Sequence, residues 1–527
     1  MDEMDGMDGA EEMNRMGRAG ETGDVDRLLK RGVAYCMEGL VDRGVECYSE
    51  AIRVDPARAD CYVYRGSAYL NRGMPVPAIE DLTRAIMLDR TSADAYHCRG
   101  SAYSAVGEHE KALGDLGHAL GLRPGDADML VSLGRAYGEM GDHQAALREF
   151  SRALVFDPTC ALALIGRGAA CGALGHLKEG LRDLERALEI SGPSLPLYVC
   201  RGRLHDLMSD NASAIEDYTQ AIACDSSHVQ AYIARGCDRG NTGDYSGAIE
   251  DFTAALDRGG PEAAAYTLRG NAYSELPERE KALEDYDAAI AIDASCVPAF
   301  YGRGRALCEL REYGRAIEDF TRTIELQPDF PYGYKERGDA LFWSGDYERA
   351  IADFTRALEV APDMIEARGM RGLALRAVGR LDDAIADFTV LVEREPTEAI
   401  NYRERGNALL QAGNLGRAIE DLRYAVELDP LDHRAHTSLG MAYGAAGDYA
   451  AAERHLTRSL DLNPGDREIE RLRASVISEA GRSEGGGQGG SAIGDRQGDD
   501  QVANPAGPSL GRRLRGHLLG LLHRIGE

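Results

Sequence analysis

Residues 127–160 read ADMLVSLGRAYGEMGDHQAALREFSRALVFDPTC, and this 34-residue stretch returns in variant form thirteen times in succession. Its fixed point is Gly134, with counterparts at Gly32, Gly66, Gly100, Gly168 and onward to Gly440 without a slip in register. Eleven of these glycines follow an arginine, the exceptions being Leu133 and Leu439. Twelve residues beyond each glycine stands Ala or Gly, from Gly44 and Ala78 to Ala452. Small residues in register on two helices let their backbones come close. Each unit is therefore expected to be a helical hairpin, and the chain a solenoid whose core is made between neighbouring units.

Inside the unit, ten of the thirteen turns carry glycine at one place, among them Gly73, Gly141 and Gly345, where a left-handed backbone ends the first helix. The second helix often reads as Ala316-Ile317-Glu318-Asp319-Phe320 does, with the alanine and the aromatic on one face. A proline such as Pro158, Pro328 or Pro362 then stops it, having no N–H to continue the ladder. The arginine column has a companion column of acids sixteen residues on, from Asp81 and Asp115 to Asp387 and Asp421. These are read as ion pairs within a repeat. Repeat thirteen lacks both members (Leu439, His455), while repeat one (Arg31, Cys47) and repeat four (Leu133, Glu149) break the correlation.

In these residues the chain resembles the tetratricopeptide repeat family, whose 34-residue signature runs Leu-Gly, Tyr, Ala, Phe, Pro. Repeat four has Leu133-Gly134, Tyr137, Ala146, Phe150, Ala153 and Pro158; repeat ten has Arg337-Gly338, Ala350, Phe354, Ala357 and Pro362. With the glycine as eighth position, thirteen repeats cover residues 25–466. The resemblance implies an all-α, right-handed superhelical solenoid whose first helices line a concave groove for a peptide or protein segment. The aromatic is missing at Cys171 and His205, and the closing proline at Arg90, Ser226 and Ala294.

The formal net charge of −28 sets the surface against phosphate backbones, so nucleic-acid binding is not expected and basic or neutral partners are favoured. The 55 arginines against five lysines are attributed to coding bias rather than to recognition. Eleven cysteines form no C-x-x-C pair and read as small buried side chains in a reducing compartment. Nothing in the sequence reads as a secretory leader or a membrane span, which points to a cytoplasmic protein.

The ends differ from the array. Residues 1–24 are expected to be a disordered acidic arm, 467–480 a capping helix, and 481–509 a Gly-rich disordered linker. Residues 510–527 form a basic amphipathic pattern, with Leu514, Leu518 and Leu521 on one stripe and Arg515 and Arg524 among the cations. That segment is expected to form a helix that attaches weakly to a membrane surface, to a partner, or to the acidic solenoid of its own or another copy of the chain, as a targeting or regulatory subunit would need.

No phosphate-binding loop, metal-ligand spacing or nucleophile–base pair is present in the sequence, so no enzyme activity, cofactor or metal is expected. Groove positions are mostly small in the first half, as at Ser67, Ser101 and Gly172. In repeats nine to twelve they become Tyr301, Arg305, Lys335, Asp339, Phe342, Trp343, Arg376, Arg403 and Asn407, a mixture suited to partner binding. Some relatives clamp a chaperone's C-terminal carboxylate there. Arg403 and Asn407 match the first step of that clamp, but Ser438 and Glu468 occupy the next places, so the clamp is not expected.

Overall fold

The computed structural model describes residues 24–485. Every regular element among them is an α-helix, beginning with 24–37 and ending with Arg467–Gly485. From the second repeat on, the first helix starts at the first residue of the unit, as in Ala59–Asn71, Ala127–Glu139 and Pro331–Trp343. Two compact units divide between Pro261 and Glu262, the first holding repeats one to seven and the second repeats eight to thirteen. The core of the first contains Leu164, Leu184, Leu197 and Tyr218; that of the second contains Leu341, Phe354, Leu375 and Phe388. Residues 1–23, most of the expected linker and the whole of 510–527, with Leu514, Arg515, Leu518, Leu521 and Arg524, lie outside the described residues.

The repeating glycine meets a different partner from the one its spacing suggested. A Cβ on Gly338 would lie 2.7 Å from Phe354, sixteen residues on, and one on Gly66 would lie 2.7 Å from Leu82. The large residue of the second helix lies flat over the glycine, and the backbone twelve residues on is also close, as at Gly100 and the Ala112 carbonyl, 3.1 Å. Phe320, Phe354 and their counterparts are buried completely as a result.

Helix ends follow local chemistry. The turn glycines take positive φ, for example +83° at Gly141 and +87° at Gly345. Ser209 and Arg311 adopt the same conformation at the same place, with φ of 58° and 60°. Pro277 cannot, because its ring fixes φ near −65°, and that first helix ends early, at Ser274. The aspartate ahead of the closing place turns the chain whether proline follows it, as at Asp55, Asp157 and Asp429, or not. Asp89, Asp225 and Asp293 accept the backbone N–H two residues on, from Thr91, Ser227 and Ser295, at 2.8 Å.

The Arg and Asp columns pair within repeats. In ten of them the guanidinium forks onto the carboxylate, as in Arg337 Nε and Nη2 to Asp353 at 2.7 and 2.8 Å. The remaining nitrogen often reaches back one repeat, from Arg337 to Thr321 (3.1 Å) and from Arg65 to Ser49 (3.1 Å). One side chain thus ties the hairpin to itself and to its predecessor. Glu149, without its arginine, pairs with Arg152; in repeat thirteen a His436–His455 contact of 3.2 Å takes the place.

The last helix lays Ile469, Leu472 and Val476 on the core of repeat thirteen. It runs to Gly485 instead of stopping at 480, its final turn supported by the Arg482–Glu479 pair at 3.1 Å.

Candidate functional site

In the second unit, the first helices of repeats ten to thirteen (Pro331–Trp343, Ile365–Ala377, Ala399–Gln411 and His433–Ala446) enclose a cavity of about 380 Å³. Five of the sequence-predicted residues line it: Phe342, Trp343, Arg376, Arg403 and Asn407. The 34-residue step puts Leu373, Asn407 and Met441 at one repeat position and Met370, Glu404 and Ser438 at another, so successive repeats supply rungs of the same wall. Trp343 stands at the rim, 59% exposed, its ring edge-on to Phe342 at 5.3 Å.

The other four predicted residues lie elsewhere. Tyr301 packs edge-on against Phe330 at 5.3 Å and Phe320 at 6.0 Å. Arg305 is exposed on the same helix. Lys335 pairs with Asp339 at 2.9 Å and with Glu336 at 3.2 Å. Burial pushes the Asp339 carboxyl up to about 6 against the pull of the Lys335 ammonium.

Charge inside the cavity is largely matched. Glu404 sits between two guanidinium groups, 3.3 Å from Arg376 and 3.0 Å from Arg403, and Arg403 also reaches Asp432 at 2.6 Å. Burial works against ionisation of Asp432, yet Arg403 and two backbone N–H groups hold its carboxyl below the usual range. Among the described residues, three buried polar atoms of the lining make no hydrogen bond, one of them the Oε2 of Glu404, held only by its ion pair to Arg376. The others are the Oδ1 of Asn407, a residue only 8% exposed, and the Nε of Arg376. The wall therefore holds two acceptors and one donor with unused capacity between apolar surfaces.

Sequence reasoning missed Glu404, which sets the local charge, and the apolar lining of Met370, Leu373, Ile400 and Met441. Stepping by 34 from Asn407 would have found Leu373 and Met441.

A second, shallower pocket of about 550 Å³ opens beside the turns of repeats nine and ten, lined by Arg311, Tyr313, Ser344 and Gly345 together with Phe342, Trp343 and Tyr347. Among the described residues no group of three or more His, Cys, Asp or Glu is placed to hold a metal ion, and no helix is long and apolar enough to cross a membrane.

The tetratricopeptide repeat family matches residues 99–159, 131–196, 233–295, 301–351, 336–399 and 403–484. The chain belongs to the tetratricopeptide repeat family. Solved structures similar to it include the APC/C hetero-tetramer Cut9–Hcn1, at 17% identity over 86% of this chain and 96% of that one, with a TM-score of 0.42. A tetratricopeptide repeat protein from Parabacteroides merdae ATCC 43184 is 21% identical over 47% and 98%, with a TM-score of 0.39. Yeast Tom70 is 17% identical over 88% and 97%, with a TM-score of 0.30. No curated protein matches the sequence. Tetratricopeptide arrays are protein-interaction scaffolds and generally non-catalytic.

Proposed function

We propose that the cavity of repeats ten to thirteen holds a segment of a partner protein, laid along the first helices with its main chain against Asn407 and Arg376 and a bulky side chain on Trp343. The observation that carries this reading is the chain's single tryptophan, more than half exposed, at the rim of a wall that also holds a buried amide oxygen without a partner. Burying that ring and answering that oxygen are both favourable when a segment enters. The matched charges around Glu404 keep the wall rigid before binding, which lowers the ordering cost of association.

The test uses the full chain. Trp343→Ala combined with Ile400→Ala truncates two exposed side chains on the rim and leaves the buried ion pairs in place. Affinity capture with mass spectrometry is expected to lose the partners retained by the parent, with an unchanged helical circular-dichroism spectrum. Undiminished capture by the folded double variant would return both residues to packing.

A further inference from the structure

The turn between the two helices of repeat nine is built on a residue that resists its own conformation. Ten repeats place glycine there with positive φ, whereas Arg311 takes φ of 60° with a full side chain. A left-handed backbone crowds the Cβ of an L-residue against the following carbonyl, and glycine avoids this. A long cationic side chain strained at a place where ten repeats carry glycine and repeat six a small serine calls for a reason outside the turn.

Its surroundings provide one. Arg311 is exposed, and among the described residues no carboxylate lies within ion-pair distance of it. It lines the shallow pocket with Tyr313, Phe342, Trp343 and Tyr347. The last three also wall the cavity of repeats ten to thirteen, so the two hollows share the Trp343 side chain as a partition. At the other end of that cavity Arg434 is likewise exposed and without a carboxylate partner among the described residues. The cations between, Arg376 and Arg403, are engaged by Glu404 and Asp432. An aromatic wall with an unmatched guanidinium at each end thus stands in a chain whose net charge is −28.

We propose that the pocket at Arg311 is a second subsite of the same surface, and that the bound segment is acidic: a bulky apolar side chain packs on Trp343 while flanking carboxylates meet Arg311 and Arg434. The proposal rests on the function proposed above and specifies the partner's chemistry. Exposed guanidinium groups select by charge and guide encounter, and the aromatic partition supplies the contact area.

Because Trp343 is the sole tryptophan, its emission reports this surface alone. The full chain is titrated with three tryptophan-free peptides of about the same length: one of Glu with Leu and Phe, one with Lys in place of Glu, and one of Glu and Gly with no bulky residue. The Glu–Leu–Phe peptide is expected to shift the emission and to bind tightest. Arg311→Gly is expected to weaken it about fivefold, the weight of one rim charge, while raising the melting temperature. Ser209→Gly relieves the same strain in the other unit and is expected to raise the melting temperature without altering the titration. A Lys peptide that binds as tightly, or unchanged binding in Arg311→Gly, overturns the acidic subsite and leaves the groove reading standing. No emission change with any peptide overturns both.

Discussion

Tyr218 donates its hydroxyl to Asp206 at 2.5 Å, and the buried carboxyl of Asp238, on the first helix of the next repeat, lies near enough to feel the Asp206 charge. Two neighbouring buried carboxylates repel when both are ionised, so one of them tends to keep its proton. Asp238 is 4% exposed, and burial first, then the Asp206 charge, push its carboxyl up to about 7. The other titratable groups acting there are Arg203, which acts on Tyr218, and the Cys237 thiol, itself pushed up to about 11 by burial. A folded-state value raised above the unfolded one means the folded form holds an extra proton on Asp238. Its stabilising effect is complete below the ordinary carboxylate range and is lost as pH rises through about 7. Asp238→Asn keeps a donor at every pH. The variant is expected to exceed the parent in stability at pH 8 by about 1–3 kcal/mol and to show no gain at pH 4. Hydrogen exchange of residues 195–262 at the two pH values checks this, and equal protection at pH 8 would remove the retained Asp238 proton from the account. Neither aspartate stood out in the sequence, since the pair joins different positions of consecutive repeats and the 34-residue period aligns only like with like.

Among the elements, the hairpin was legible because its punctuation is chemical. Glycine at the turn, proline after the second helix and the Arg–Asp columns each follow from backbone or ionic requirements that the residue type announces. What remained hidden depended on three-dimensional partners. The spacing of Gly338 suggested a small residue opposite, whereas Phe354 covers it, because a ring on the second helix can lie across a glycine that its sequence distance does not single out. In the candidate site, the column reading gathered Phe342, Trp343, Arg376, Arg403 and Asn407 but could not say which charges cancel. Lys335 and Asp339, four residues apart on one helix, satisfy each other. The three non-glycine turns show the same limit. Pro277 shortened its helix, while Ser209 and Arg311 took the left-handed conformation. Ser209→Gly is expected to stabilise its turn by about 0.5–1 kcal/mol, the relief of Cβ crowding less the added freedom of the unfolded chain. A denaturant midpoint that does not rise would mean that Ser209 is held there by contacts stronger than the strain.

Over the whole molecule, the same interface recurs with small changes, so stability should depend on neighbours rather than on any one repeat. Repeat two, residues 59–92, allows a direct trial. Arg65 reaches back to Ser49 at 3.1 Å and Arg99 reaches back to Thr83 at 3.2 Å, the same bond one repeat apart. Deleting 59–92 joins Arg58 to Ala93 in register, so that Arg99 meets Ser49 as Arg65 did, and Arg99 keeps its own fork on Asp115. The shortened chain is expected to unfold cooperatively, with unchanged helicity per residue and a melting temperature lower by about 2–5 °C. Deleting only 59–75 removes the first helix and turn, leaving a second helix to follow a second helix with Leu82 deprived of Gly66. That chain is expected to lose cooperative melting and exchange protection across residues 25–126. The two deletions separate register from length. If the loss of a whole repeat proves as damaging as the loss of half of one, the interfaces are not interchangeable and the nearest-neighbour description fails.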